Sequence, residues 1–70
     1  MYEKLVEAIN QNIINFLDEK NVSSRKLSKA IGKNDGYISR MLNEKFVPSL
    51  EMLYLMAEEL GTTVSDLTKI

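Results

Sequence analysis

A chain of 70 residues with no cysteine and no histidine excludes disulfide staples and the commonest metal ligands, so packing alone must hold it together. At this length only about 60% of the unfolded surface is removed from water, enough for one small core and no second domain. The formal net charge of −1 hides a segregation. Six basic residues face two acidic ones between Val22 and Lys45, a net of +4, and three basic residues face eight acidic ones elsewhere, a net of −5.

The first element spans Glu3 to Asp18. Leu5, Ile9, Ile13, Phe16 and Leu17 recur at steps of three and four, the stripe of an amphipathic helix with one inward face. Asn10, Gln11, Asn12 and Asn15 lower its intrinsic propensity, so tertiary packing must support it. The polar run Asp18-Glu19-Lys20-Asn21 ends it.

Ser23 is a good N-cap for a second helix whose inward trio is Leu27, Ala30 and Ile31. Arg25 and Lys26 stand in its first turn, where cations oppose the helix dipole. An approaching phosphate reverses the sign of that cost, because a helix N-terminus with two cations suits an anion. A solvated face with casual charges is the plain alternative.

Gly32 falls where the chain must stop and reverse, and the turn is placed at Gly32-Lys33-Asn34. Asn34 then caps a third helix over 34–43, with Asp35 in its first turn. Its inward trio is Ile38, Met41 and Leu42, which leaves Asp35, Gly36, Ser39, Arg40 and Asn43 facing out and Tyr37 at the border. Residues 23–43 thus read as a helix-turn-helix. Pro48 cannot extend that helix, and Ser49 caps a fourth with Leu50, Leu53, Met56, Ala57 and Leu60 inward and Gly61 at its end. Thr63-Val-Ser-Asp66 has the capping-box spacing, and Val64, Leu67 and Ile70 form the apolar side of a short fifth helix. The expectation is a single all-α domain, residues 1–70, of five helices.

Certain spacings resemble the phage-repressor-like helix-turn-helix domains, the class of lambda repressor and Cro, over roughly Asn15 to Leu67. They are Leu27 with Gly32 five residues on, Tyr37-Ile38-Ser39-Arg40, Pro48-Ser49-Leu50, and Ala57-x-x-Leu60-Gly61 with Leu67. The resemblance implies a compact five-helix DNA-binding domain. It places Ser24 where a phosphate-holding glutamine is usual, and Asn34, Asp35 and Gly36 at the start of a helix that meets base edges. Ser39 and Arg40 match outward, base-facing positions, and Asn43 and Lys45 match positions that touch phosphate. This chain departs from the pattern in places. Ser24 is shorter than glutamine, and Gly36 has no side chain to read a base. Ser28 replaces a usual alanine, so its hydroxyl needs a partner such as the carbonyl one turn earlier.

The resulting expectation is sequence-specific binding of double-stranded DNA by a transcriptional regulator, a repressor, with the third helix in the major groove. Base contacts are assigned to Asp35, Gly36, Ser39 and Arg40. Phosphate contacts fall to Ser24, Arg25, Lys26, Lys29, Asn34, Tyr37, Asn43 and Lys45. Two of these have rival roles, since Asp35 can serve the helix cap alone and Tyr37 can wall the core or meet a thymine methyl. Members of the resembled class usually work as homodimers, and Met52, Leu55 and Ile70 are the apolar residues left over for such a contact. A protein-interaction module, such as a toxin-binding antitoxin, is the competing reading, and non-specific architectural DNA binding is a third. Without His or Cys an enzyme is the poorest reading, and no cofactor, metal or small-molecule site is expected. No apolar run reaches the ~18 residues of a membrane span and the start of the chain lacks the pattern of a secretory signal, so the protein is expected in the cytoplasm.

Overall fold

The computed structural model describes Tyr2–Ile70, apart from the side chain of Tyr2; Met1 lies outside the described residues. The elements are α1 (Tyr2–Lys20), α2 (Ser24–Ala30), α3 (Tyr37–Glu44), α4 (Leu50–Leu60) and α5 (Val64–Leu67), with no strand among the described residues.

Left-handed residues decide where the helices stop. Asn21, Gly32, Lys45 and Gly61 have φ of 57°, 81°, 57° and 68° and follow α1 to α4 in turn. At Asn21, Gly32 and Gly61 the residue's own amide and the one after it close back on the final turn in a Schellman pattern, as in Asn21 N–H to the Asp18 carbonyl (3.2 Å) and Val22 N–H to the Leu17 carbonyl (2.9 Å). The polar run after Leu17 therefore does not end α1 at Asp18. It continues the helix to Lys20, and the stop comes from Asn21, a residue type that tolerates the left-handed region.

Starts are set by hydroxyls. Ser23, Ser49 and Thr63 are N-caps whose oxygens accept from Lys26, Met52 and Asp66 amides at 3.0, 3.2 and 3.1 Å. Half of the expected capping box forms, because Asp66 takes its bond from the Thr62 hydroxyl (2.9 Å).

The core joins Ile9, Ile13 and Leu17 of α1 to Leu27, Ile38, Met41, Leu53, Met56, Leu60 and Leu67. Helix α1 packs on α4 and α5, while α2 packs on α3 and α4. Three expected inward residues are exposed instead. Ala30 lies at the end of α2, Leu50 is the first residue of α4 and is 73% exposed, and Ile70 lies beyond α5. Each sits at a helix end, where the stripe has run past the surface it covers. Leu42, Val64, Leu5 and Phe16 are half-buried against the core. Met52 and Leu55, which the pattern left over, also pack there, so the apolar residues standing free on α4 are Leu50 and Tyr54.

Two asparagines of α1 have structural roles. The Asn12 amide donates to the carbonyls of Leu67 and Lys69, both at 2.9 Å, and ties the end of α5 to α1. Asn10 is buried, with its side-chain oxygen unpaired.

Candidate nucleic-acid interface

Helix α2 is short, and besides apolar packing one hydroxyl joins α3 to it. After the Schellman closure at Gly32, the Asn34 side chain accepts from Gly36 N–H (3.2 Å) and the Asn34 carbonyl accepts from Tyr37 N–H (3.2 Å). This Asx-type turn uses up residues 34–36, so α3 begins at Tyr37 rather than Asn34 and runs to Glu44. The expected helix 34–43 is corrected to that extent, and Asp35 stands in the turn, not in the first helical turn. The N-cap position falls on Gly36, which has no side chain to offer. Ser28 supplies the missing acceptor. Fully buried at 0% exposure, its hydroxyl donates to the Ser24 carbonyl (2.8 Å) and accepts from Ile38 N–H (2.9 Å). The carbonyl partner was expected; the second bond, which caps α3 from α2, was not.

Around this junction the structure exposes Arg25, Lys26, Lys29, Asn34, Asp35, Gly36, Ser39, Arg40, Asn43 and Lys45, while Ser24 is half-buried. Tyr37 is the exception. At 9% exposure its ring is part of the core and meets Phe46 edge-on, with centroids 6.1 Å apart. Two cations flank it: Lys33 Nζ lies 5.3 Å and the Arg40 guanidinium carbon 5.9 Å from the ring centroid. Such contacts are worth about 0.5–1 kcal/mol at exposed sites, enough to bias where a long side chain rests. Lys33 was absent from the residues assigned from sequence; its place directly after the turn glycine is the signal that could have found it.

Asp35 carries the other local charge contact. Its carboxylate forms ion pairs with Arg25, whose Nε lies 3.2 Å away, and with Lys29, whose Nζ lies 3.9 Å away, so the turn is tied to two successive turns of α2. Of the two first-turn cations that oppose the dipole in α2, Arg25 thus has an internal counter-charge nearby. Among the described residues no group of three or more acidic side chains is placed to hold a metal ion. No described helix is long and apolar enough to cross a membrane.

A capped helix, a glycine-closed turn and a second helix with a small, polar, cation-flanked outer face make up a helix-turn-helix DNA-binding unit. The helix-turn-helix family model matches residues 13–67, and the chain belongs to that family, in the phage-repressor-like class its spacings resemble. Among solved structures it is similar to the clp gene regulator ClgR from Corynebacterium glutamicum. That likeness has 30% sequence identity and a TM-score of 0.81, and it covers 90% of this chain and 67% of the other. No curated protein matches.

Proposed function

We propose that the protein is a repressor of transcription that binds a specific duplex site, with α3 lying in the major groove. The observation that carries this reading is the exposed set of six cations, Arg25, Lys26, Lys29, Lys33, Arg40 and Lys45, gathered around the α2–α3 junction of a chain whose remainder is acidic. Phosphate contacts by Arg25, Lys26, Lys29 and Lys45, with Ser24, Asn34 and Asn43 beside them, set the register. Ser39 and Arg40 read base edges, and the bare backbone at Gly36 allows close approach next to Asp35. The Tyr37 ring belongs to the core, so its part on the DNA side is confined to its hydroxyl and to holding Lys33 and Arg40.

Use as a homodimer on paired half-sites is part of this reading, and the size of one copy is compatible with it. The described residues extend 30 Å along their longest axis, whereas half-sites one helical turn apart are separated by about 34 Å. One copy cannot serve both; two copies side by side can. Selection of bound sites from a random duplex pool, followed by a salt series, tests the proposal. The expected result is a palindromic consensus whose affinity falls steeply with salt as counterions are released. A reporter promoter carrying that consensus should be silenced. Absence of a DNA shift, with salt-insensitive capture of a protein partner, favours the toxin-binding reading instead.

Lys45 offers a separate check, because its two roles pull apart. It closes α3 in the left-handed region, with its amide donating to Met41 (2.8 Å), a place where glycine is the usual residue. Lys45→Gly is expected to raise folding stability by up to about 1 kcal/mol, the Cβ penalty less the added chain entropy. The same variant should bind DNA more weakly, its log K against log salt slope shallower by about 0.9 for one lost phosphate contact. Thermal melts and fluorescence anisotropy on one preparation decide this; unchanged DNA affinity would remove Lys45 from the interface.

A further inference from the structure

Asp35 is a carboxylate at the leading end of the helix that the DNA reading places in the groove, and three observations bear on what it does there. Its ion-pair partner on α2 is Arg25, approached at Nε (3.2 Å), and a guanidinium has five N–H donors, so one carboxylate contact leaves donors for another acceptor. Lys29, four residues on and at 3.9 Å, is a charge neighbour rather than a hydrogen-bonded one. The side chains of Arg25, Lys29 and Asp35 are 69%, 60% and 53% exposed, a setting in which an ion pair adds little to folding. The pair can therefore be altered at little cost to folding, and what it changes is the charge and the placing of Arg25 at this surface.

We infer that Asp35 is a specificity-setting residue: it lowers the affinity of the domain for unrelated DNA while holding Arg25 in position for phosphate at the correct site. The inference rests on the DNA-binding reading above. Binding to arbitrary sequence is governed by net charge, and Asp35 removes one positive unit from a segment that would otherwise carry +5 in place of +4. In a loose complex, phosphates lie against the α2–α3 turn and meet the carboxylate directly. With α3 seated, the carboxylate faces the groove, and the fixed guanidinium presents its terminal nitrogens to the backbone. The repulsion then falls mainly on the loose complex, and the benefit of a positioned Arg25 falls on the seated one.

Asp35→Asn preserves shape and removes the charge. Its affinity should be measured for the selected site and for an unrelated duplex of equal length, each across a salt series. The expected result is a rise of about threefold or more on unrelated DNA and a slope steeper by about 0.9, as for one additional phosphate neutralised. Affinity for the selected site should not follow, so the ratio of specific to non-specific binding falls. Placed in an Arg25→Gln background, the same substitution should change that ratio less, because the positioned partner is gone. Equal factors on both DNAs, or an undiminished effect without Arg25, would overturn the inference and leave DNA binding standing. A wild-type chain that fails to bind duplex DNA overturns both. Thermal melts of each variant should match wild type, which separates these outcomes from misfolding.

Discussion

Arg40→Ala is expected to cut the protein's discrimination between DNA sequences by about 1–3 kcal/mol. Arg40 is exposed on the outer face of α3, and its guanidinium rests 5.9 Å from the centroid of the Tyr37 ring, a ring that the core itself holds still. A planar fork held in this way is set up to pair bidentately with the major-groove edge of guanine, a contact worth about 1–3 kcal/mol of discrimination. Affinity for the selected site should therefore fall by about 5- to 150-fold. Affinity for unrelated DNA should fall only as one lost charge dictates, with the salt slope changed by at most about 0.9. Arg40→Lys sharpens the test, since it keeps the charge and loses the fork. If the lysine variant regains full discrimination, or if alanine lowers both affinities by one factor, Arg40 is a phosphate contact and the base reading must rest on Ser39 and its neighbours.

The parts of this structure that were legible in the sequence are the ones whose physics is local. Ser23, Ser49 and Thr63 cap the helices they precede because the acceptor and the amide lie within three residues of each other. Gly32 and Gly61 stop helices because only the backbone at that residue is concerned. The errors come where a distant group intervenes or an element runs out. The start of α3 was misplaced because Asn34 spends its side chain on a turn ahead of the helix, and the real cap comes from ten residues earlier. Asn12 reads as a poor helix former until the end of α5 is brought beside it from 55 residues away. Exposure of the six cations around the α2–α3 junction follows from charge alone, so their place on the surface was legible. The pairing of Asp35 with Arg25 and the placing of Lys33 and Arg40 on Tyr37 depend on how α2 and α3 cross, which no spacing rule encodes.

Across that junction the Ser28 hydroxyl bonds α2 to α3, and its removal should be costly to folding for a change outside the apolar core. Ser28→Ala deletes the acceptor for Ile38 N–H, in a residue that is itself fully buried, and the donor to the Ser24 carbonyl. A buried amide left without an acceptor costs about 1–3 kcal/mol. Better helix propensity of alanine returns about 0.5 kcal/mol. At this chain length each kcal/mol lowers the melting temperature by about 4–8 °C, so a drop of about 2–20 °C is expected in a calorimetric or circular-dichroism melt. Alanine is usual at this place in the class the chain resembles, which makes the outcome informative rather than routine. The hydroxyl is needed here because Gly36 leaves α3 without a cap of its own. Ser39→Ala, on the exposed face of the same helix, should stay within about 0.5 kcal/mol of wild type and serves as the control. At a temperature where Ser28→Ala remains folded, its affinity for the selected site should fall more than its affinity for unrelated DNA, since a shifted α3 spoils base contacts before it spoils charge. A melt within about 2 °C of wild type would show that Ile38 N–H finds another acceptor, and that packing alone, without the Ser28 hydroxyl, sets the angle at which α3 is presented.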